Sequence, residues 1–216
     1  SMIALFKNKP LDFSPGSKWN YSNSGYFLLG VIVEKASGKK FNEYLNENII
    51  AKLGLKNTSL DRLDSVLAFR AKGYDKNQQG VWQHAMYISM EAPYSAGAMV
   101  STVDDLYKWT KALHSNRVLS AANTQKMMTP YMNNYGYGIG IDSLKTHKRV
   151  SHNGGIPGFV TNLSYYPADD VCVVVVSNNG SNSDKVSAAL ASIIFDLPVQ
   201  KPYIPKAIKI DTTLLD

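Results

Sequence analysis

Hydrophobic and polar positions divide the chain into a helical half and a strand-rich half. The apolar run 26–33 predicts a helix over 24–36, with Ser24 as its N-cap and Gly38 as the residue that ends it. Apolar residues at helical spacing predict a second helix over 41–50. By the same criteria, further helices are predicted from Thr102 to about 114, over 120–128 and over 183–195.

After Pro130 the pattern changes to short segments of the length and alternation that strands show. The predicted strands are 135–141, 148–152, 158–166 and 171–177, and they follow one another at hairpin spacing. Two further strands, 68–74 and 80–82, are predicted on either side of the polar turn 75–80.

Composition narrows the class of protein. Of the 216 residues, 44% are hydrophobic and 11% aromatic, which is enough for a sizeable core and excludes a disordered chain. The net charge is +6, but the longest basic runs are the pairs Lys39-Lys40 and Lys148-Arg149. Because no basic stripe is interleaved with aromatic residues, we expect no nucleic-acid partner.

The cysteine and histidine content bears on cross-links and metals. Cys172 is the single cysteine, so the chain has no intramolecular disulfide and no thiolate cluster, and its apolar surroundings indicate a buried strand position. No segment approaches the roughly 18 apolar residues of a membrane span. The four histidines show no ligand spacing such as His-x-x-x-His, so no metal site is predicted at His84, His114, His147 or His152.

Tyr21 and Asn23 form the first candidate site. They lie two residues apart, just before a predicted helix, and in an extended loop both side chains would project into one space. A phenol can act as a general acid or base if neighbouring cations lower its pKa, and an amide can both donate to a carbonyl and accept from an amine. The plainer alternative is that Tyr21 packs and Asn23 turns the chain.

The context of these residues resembles a known family. The run Pro15-Gly16-x-x-Trp19-x-Tyr21-Ser22-Asn23-x-Gly25-Tyr26 is similar to the Tyr-x-Asn segment of the serine β-lactamase and penicillin-binding protein superfamily. The branch that it resembles most is that of the class C β-lactamases and their esterase and D-alanyl peptidase relatives. Segments 52–58 and 94–106 also resemble superfamily segments.

A third motif, His152-Asn153-Gly154-Gly155, resembles the Lys-Thr-Gly element of the superfamily in its His-x-Gly variant. The resemblance implies that a substrate lies along this strand edge and that His152 orients a carboxylate or assists proton transfer. It implies further that Gly154 leaves room for the substrate and that the Gly155 N–H forms half of an oxyanion hole. The plainer alternative for His152 is a structural turn histidine.

The family's nucleophile stands in a Ser-x-x-Lys sequence that begins a helix upstream of Tyr-x-Asn. The only such spacing here is Ser37-Gly38-Lys39-Lys40, which follows a predicted helix instead of beginning one. We therefore expect Ser37 not to be the nucleophile, and we expect Lys145-Thr146, which mimics Lys-Thr-Gly without its glycine, to form a hairpin turn.

The resemblance implies an α/β (α+β) fold of the β-lactamase type, in which helices flank an antiparallel sheet built from 135–177. Residues 1–198 would form the C-terminal portion of that domain, lacking its first strands and its Ser-x-x-Lys helix, and 199–216 a tail or linker toward a further module. Surface left open by the missing part would be buried in an oligomer.

The function that the resemblance implies is serine hydrolysis through an acyl-enzyme. The substrates would be β-lactams, D-alanyl peptides or small esters, and sequence does not choose among these small-molecule and peptide classes. Tyr21 and His152 would be catalytic, Asn23, Gly154 and Gly155 would bind substrate, no cofactor is called for, and this chain alone would be inactive. Relatives suggest a periplasmic or extracytoplasmic protein. The alternative is a non-catalytic protein that keeps the pocket to bind a ligand or partner.

Overall fold

The computed structural model describes residues 2–62 and 64–199. The helices are α1 (Asn23–Ser37), α2 (Phe41–Leu45), α3 (Ala51–Leu53), α4 (Val103–His114), α5 (Ala121–Met127) and α6 (Ser183–Ile194), with a π-helical turn, Asn46–Ile50, between α2 and α3. The strands are β1 (Ser59–Leu60), β2 (Tyr74–Lys76), β3 (Trp82–His84), β4 (Met99–Val100), β5 (Gly140–Leu144), β6 (His147–Ile156), β7 (Phe159–Tyr166) and β8 (Val171–Ser177).

The main sheet is antiparallel and has the order β5-β6-β7-β8. Helix α6 covers one face, where Tyr166, Val173 and Ala191 form a buried cluster, and α4 packs against β8 from the other face. Side chains alternate between the two faces along β7. Tyr166 therefore packs on the α6 face, against Phe195, and Tyr165 packs on the other face, against His114 of α4. The expected class, an antiparallel sheet flanked by helices, is confirmed.

Three of the four predicted strands of this sheet lie close to their predicted positions. Strand 171–177 is confirmed, 158–166 begins one residue later, and 148–152 extends to 147–156. Lys145 and Thr146 form the hairpin turn between β5 and β6, as predicted. The segment 135–141 differs, because it pairs regularly only from Gly140 onward.

The residues before Gly140 form a loop instead of a strand. Gly138 has φ +80°, which interrupts an extended run. A Cβ at Gly136 would lie 2.2 Å from the Met127 carbonyl oxygen, so this loop passes directly over the end of α5. Within this loop, Tyr135 forms isolated antiparallel β-bridges with Met132 and Gly140.

The predicted strands 68–74 and 80–82 are wrong in position. The pair that forms is β2 with β3, so only residues 74 and 82 of the predicted ranges belong to it. The reason is the Asn77 side chain, whose Oδ1 accepts from the N–H groups of Gln79 and Val81 at 3.0 and 2.9 Å. This Asx turn moves the hairpin bend toward the C-terminus.

Two helix boundaries also differ. The N-cap of α1 is Ser22 and not Ser24: Ser22 Oγ accepts from the Gly25 N–H at 3.1 Å, and Asn23 is the first helical residue. The predicted end at Gly38 is confirmed, with φ +69°. The predicted helix 41–50 continues through the π-helical turn to Leu53, and Gly54 ends it at φ +62°.

Helix α1 is held close to the 3₁₀ turn Tyr94–Ala96. A Cβ at Gly30 would lie 2.2 Å from Ser95 Oγ, so only glycine permits this approach. Ser95 Oγ donates to the Tyr26 carbonyl at 2.8 Å. These contacts fix the position of α1, and of the residues in its first turn, against the 3₁₀ turn.

Asp105 joins α4 to the turn at Asn57-Thr58. Thr102 Oγ1 caps α4 by accepting from the Asp105 N–H, whereas the Asp105 carboxylate points away from the helix end. It is fully buried and accepts from the Asn57 N–H at 2.7 Å and from Thr58 Oγ1 at 3.0 Å. Lys108 Nζ also donates to the Asp105 carboxylate, at 3.0 Å. The carboxylate therefore links α4 to the turn at Asn57-Thr58 and does not cap the helix.

Two apolar helix faces remain open to solvent. On α6, Val186, Leu190 and Ile193 follow one face and are 43%, 43% and 62% exposed. On α1, Leu29 and Ile32 are 52% and 58% exposed. Among the described residues, no helix is both long and apolar enough to cross a membrane.

The last residue of α4 makes stability depend on pH. Burial, together with nearby Lys111, lowers the pKa of His114 to about 4, against an unfolded value of about 6.5. Between these values the unfolded chain binds a proton that the folded chain does not, so the free energy of unfolding falls as pH falls from 6.5 toward 4. We predict that chemical denaturation at pH 5 and 7.5 differs by about 1–2 kcal/mol more in the wild type than in H114Q. Equal pH dependence in both proteins would contradict the assignment.

Candidate functional site

The site begins at the N-terminus of α1. Tyr21 directly precedes the cap Ser22, and its ring is 39% exposed. Asn23 opens the helix, and its exposed side chain hydrogen-bonds to none of the residues that the structure describes. Since α1 is anchored through Gly30, Tyr21 is presented by a rigid element.

The surroundings of Tyr21 are aromatic. Its ring centroid lies 5.5 Å from that of Tyr26, 6.1 Å from that of Tyr135 and 6.2 Å from that of His152. Burial, and then the neighbouring Tyr26, raise the pKa of Tyr21. Among the described residues no lysine or arginine forms a hydrogen bond or cation–π contact with this ring. A reactive phenolate would require a cation beside it.

His152 lies on β6 and faces this aromatic cluster. Its Nδ1 is 2.6 Å from the Asn153 carbonyl oxygen, and its Nε2 is 3.0 Å from the Tyr135 hydroxyl. A carbonyl only accepts, so Nδ1 carries a hydrogen, and in the neutral ring Nε2 accepts from Tyr135. The Tyr135 oxygen lies 3.2 Å from the Tyr26 hydroxyl, which then donates to it.

Strand β6 has an open edge next to His152. Its pairing with β5 ends where Ser151 meets Gly140, whereas its pairing with β7 continues to Ile156. From 152 to 156 the described residues therefore pair with β6 on one side only. An extended ligand can add to such an edge as a further strand.

The direction of the backbone groups at this edge follows from the hairpin. Ile156 and Phe159 flank a two-residue turn, so these two residues exchange both hydrogen bonds of their pair. Because such pairs alternate, His152 and Gly154 bond to β7 while Asn153 and Gly155 point their N–H and C=O groups to the open edge. The Gly155 N–H is thus free to donate to a ligand.

The two glycines differ in the space around them. A Cβ at Gly154 would lie 2.7 Å from Thr161 Oγ1 of β7, whereas a Cβ at Gly155 would meet nothing within 4 Å. Because side chains alternate along a strand, a Cβ at Gly154 would point to the face of His152 and one at Gly155 to the face of Asn153. The Thr161 hydroxyl borders the first of these spaces, and the expectation that Gly154 leaves room for a substrate stays a prediction.

The opposite face of β6 is held by α6. Asp184 accepts from the side-chain amides of Asn153 at 3.1 Å and Asn162 at 2.6 Å. Asn162 in turn accepts from Ser164 Oγ at 2.7 Å. This network ties the open half of β6 to α6 without using the site face.

Ser37 lies far from this cluster. It ends α1, so about 15 helical residues, roughly 22 Å at 1.5 Å each, separate it from the cap at Ser22. Its Oγ donates to the Val33 carbonyl at 2.7 Å and accepts from the Lys39 N–H at 3.2 Å. Both contacts are those of a helix end, in agreement with the expectation that Ser37 is not the nucleophile.

Tyr26, Tyr135 and Trp19 were not predicted as part of the site. Trp19 packs on Tyr135 with centroids 5.4 Å apart. The available signal was the aromatic residue in each of the two glycine-containing segments, Gly25-Tyr26 and Tyr135-Gly136, but only the fold brings these segments together. Within the described residues, no group of three histidine, cysteine or acidic side chains could hold a metal.

The chain is similar in sequence and in fold to known penicillin-binding proteins. Penicillin-binding protein 4* of Bacillus subtilis (strain 168) is 27% identical over 99% of this chain and 53% of its own length. A penicillin-binding protein from Bacillus halodurans superposes with TM-score 0.81 at 30% identity, covering 89% of this chain and 62% of that one. An octameric penicillin-binding protein homologue from Pyrococcus abyssi gives TM-score 0.80 at 25% identity, covering 91% and 47%.

The chain thus spans about half the length of the Bacillus subtilis relative. A model of the Beta-lactamase family matches residues 1–194, which is most of the chain. On this match, the chain belongs to the Beta-lactamase family.

Proposed function

We propose that this chain forms the substrate-orienting part of a serine hydrolase that works through an acyl-enzyme, with the nucleophilic serine supplied by residues outside the chain. The coarser assignment, a hydrolase of the β-lactamase and penicillin-binding type, follows from the family and its relatives. The observation that carries the finer proposal is the open edge 152–156 beside the cluster of Tyr21, Tyr135 and His152.

The roles follow from the positions of the groups. A substrate strand added at the edge would meet the outward Gly155 N–H, which polarises the scissile carbonyl. Asn23 and His152 would orient the substrate, with His152 contributing proton transfer on the site face. Tyr21 would share the proton of the serine once a lysine beside it lowers its pKa, which burial and the neighbouring Tyr26 raise.

The substrate class that we propose is an acylating amide or ester: a β-lactam, a D-alanyl peptide or a small ester. These share a carbonyl that an oxyanion donor can polarise, and penicillins are named in the descriptions of the relatives. We propose a periplasmic or extracytoplasmic position for the whole protein, as the family resemblance implies.

Acylation tests whether the nucleophilic serine lies outside this chain. Incubated with a reactive penicillin or a fluorophosphonate, the 216-residue chain is predicted to keep its intact mass, because Ser37 is bonded at a helix end and far from the site. A longer product of the same gene that includes an upstream Ser-x-x-Lys should gain one adduct on that serine. In that longer form, H152A should slow acylation by about 10²–10⁴-fold, the usual range for a lost acid-base group.

The matched control is H84Q, on the exposed strand β3 away from the cluster. A stoichiometric adduct on any serine of the 216-residue chain would contradict the proposal, as would a complete gene without a Ser-x-x-Lys. The second result would favour the non-catalytic binding protein.

We also propose that copies of this chain associate through the apolar face of α6. One of the structural relatives is octameric by its title. Light and X-ray scattering should show a mass above that of the monomer, and I193E, which places a charge at the most exposed position of that face, should lower it. The control V66E changes an apolar side chain that is also exposed but lies on a loop. A monodisperse wild-type monomer would contradict association.

A further inference from the structure

Two tyrosines connect His152 with the N-terminus of α1. Tyr26 lies in the first turn of α1, and Tyr135 lies in the loop before β5. Their hydroxyl oxygens are 3.2 Å apart, and the Tyr135 hydroxyl is 3.0 Å from His152 Nε2. Four groups therefore form one continuous chain: the Tyr26 hydroxyl, the Tyr135 hydroxyl, the imidazole and the Asn153 carbonyl.

We propose that Tyr135 and Tyr26 are further positioning residues of the site, whose hydrogen-bond chain fixes the ring of His152 and carries its protonation state to Tyr26, beside Tyr21. A role of this hydrogen-bond chain in catalysis rests on the proposed function. The chain of hydrogen bonds itself can be tested without substrate.

In the neutral state the hydroxyl hydrogens of both tyrosines point toward His152. The imidazole is held at both nitrogens, since Nδ1–H donates to the Asn153 carbonyl and Nε2 accepts from Tyr135. Tyr26 donates to Tyr135 in the same direction. A ring bonded at both ends keeps one tautomer and one orientation.

Protonation of His152 reverses this direction. The proton from solvent occupies Nε2, which then donates to the Tyr135 oxygen. The Tyr135 hydrogen rotates toward the Tyr26 oxygen, and the Tyr26 hydrogen rotates away from Tyr135 toward the open side of the cluster. One proton is taken up, no O–H bond of either tyrosine breaks, and no heavy atom has to move.

Tyr135 is suited to this role because it stays a hydroxyl. Burial, followed by the hydrogen bond from Tyr26, raises the pKa of Tyr135, so it remains a donor. Tyr26 lies four residues, about one helical turn, before the anchored Gly30, and Ser95 Oγ donates directly to the Tyr26 carbonyl. Trp19 packs on the Tyr135 ring and holds it from the other side.

Few titratable groups face His152. Tyr21 approaches from the segment before α1, and Tyr135 from the loop before β5. On β7 the residue opposite is Leu163, and Asp184 of α6 reaches only Asn153, on the other face of the sheet. A change at Tyr26 that follows His152 is therefore expected to travel through Tyr135.

The test is an NMR titration of the 216-residue chain without ligand. The imidazole carbon signals of His152 and the Cζ signal of Tyr26, which reports the hydrogen bonding of its hydroxyl, are followed as the pH is lowered. We predict that both shift with the same midpoint in the wild type, and that the Tyr26 shift is lost in Y135F. Y137F, the same change two residues away at an exposed side chain, should leave it intact.

A Tyr26 signal that follows His152 equally in Y135F, or that does not follow it in the wild type, would overturn the proposal. If Y135F does not fold, Y26F serves instead: the Tyr135 Cζ signal must still follow His152, and its failure to do so would also overturn the proposal. None of these results depends on hydrolase activity, so the proposed function can fail while this inference holds, and the reverse.

Discussion

Among the residues that the structure describes, strand β6 pairs on both sides up to Ser151 and on one side only from His152 to Ile156, and the site depends on that change. Unpaired backbone groups seek partners, so a half-paired strand is either a liability or a binding surface. Here β5 has five residues against ten in β6. The chain that would have continued β5 leaves the sheet as the loop carrying Tyr135, which returns over His152. The departure of this loop from the sheet thus leaves the edge of β6 open and places Tyr135 against His152.

The two sides of the site are held by unrelated contacts. On the site face, the close approach of Gly30 to Ser95 fixes α1 and hence Tyr21 and Tyr26. On the opposite face, Asp184 of α6 holds Asn153 and the neighbouring strand. Of the groups that would act on a substrate, Asn23 lies on a helix, His152 and Gly155 lie on a strand, and Tyr21 directly precedes the helix cap. Such support is how a site keeps its geometry before a ligand arrives.

Local sequence was sufficient where short-range chemistry decides the structure. The end of α1 at Gly38, the turn at Lys145-Thr146 and strand 171–177 were all predicted, because each depends on residues next to it in the chain. The cap of α1 was misplaced by two residues, since serine stands at both 22 and 24 and only the observed backbone selects Ser22. Tyr135 was missed as a site residue because 17 residues of hairpin separate it from His152. Its partnership exists only once the sheet has formed.

The measurement that tests the account most directly is amide hydrogen exchange along residues 152–156, resolved by NMR. If the edge is open as the hairpin requires, the His152 and Gly154 amides, which bond to β7, will exchange slowly, and the Asn153 and Gly155 amides will exchange fast. Adding a strand-like ligand should then slow Gly155 selectively. Protection of Gly155 equal to that of Gly154 in the free chain would show that its N–H is already bonded, and would contradict its role as the donor of the site.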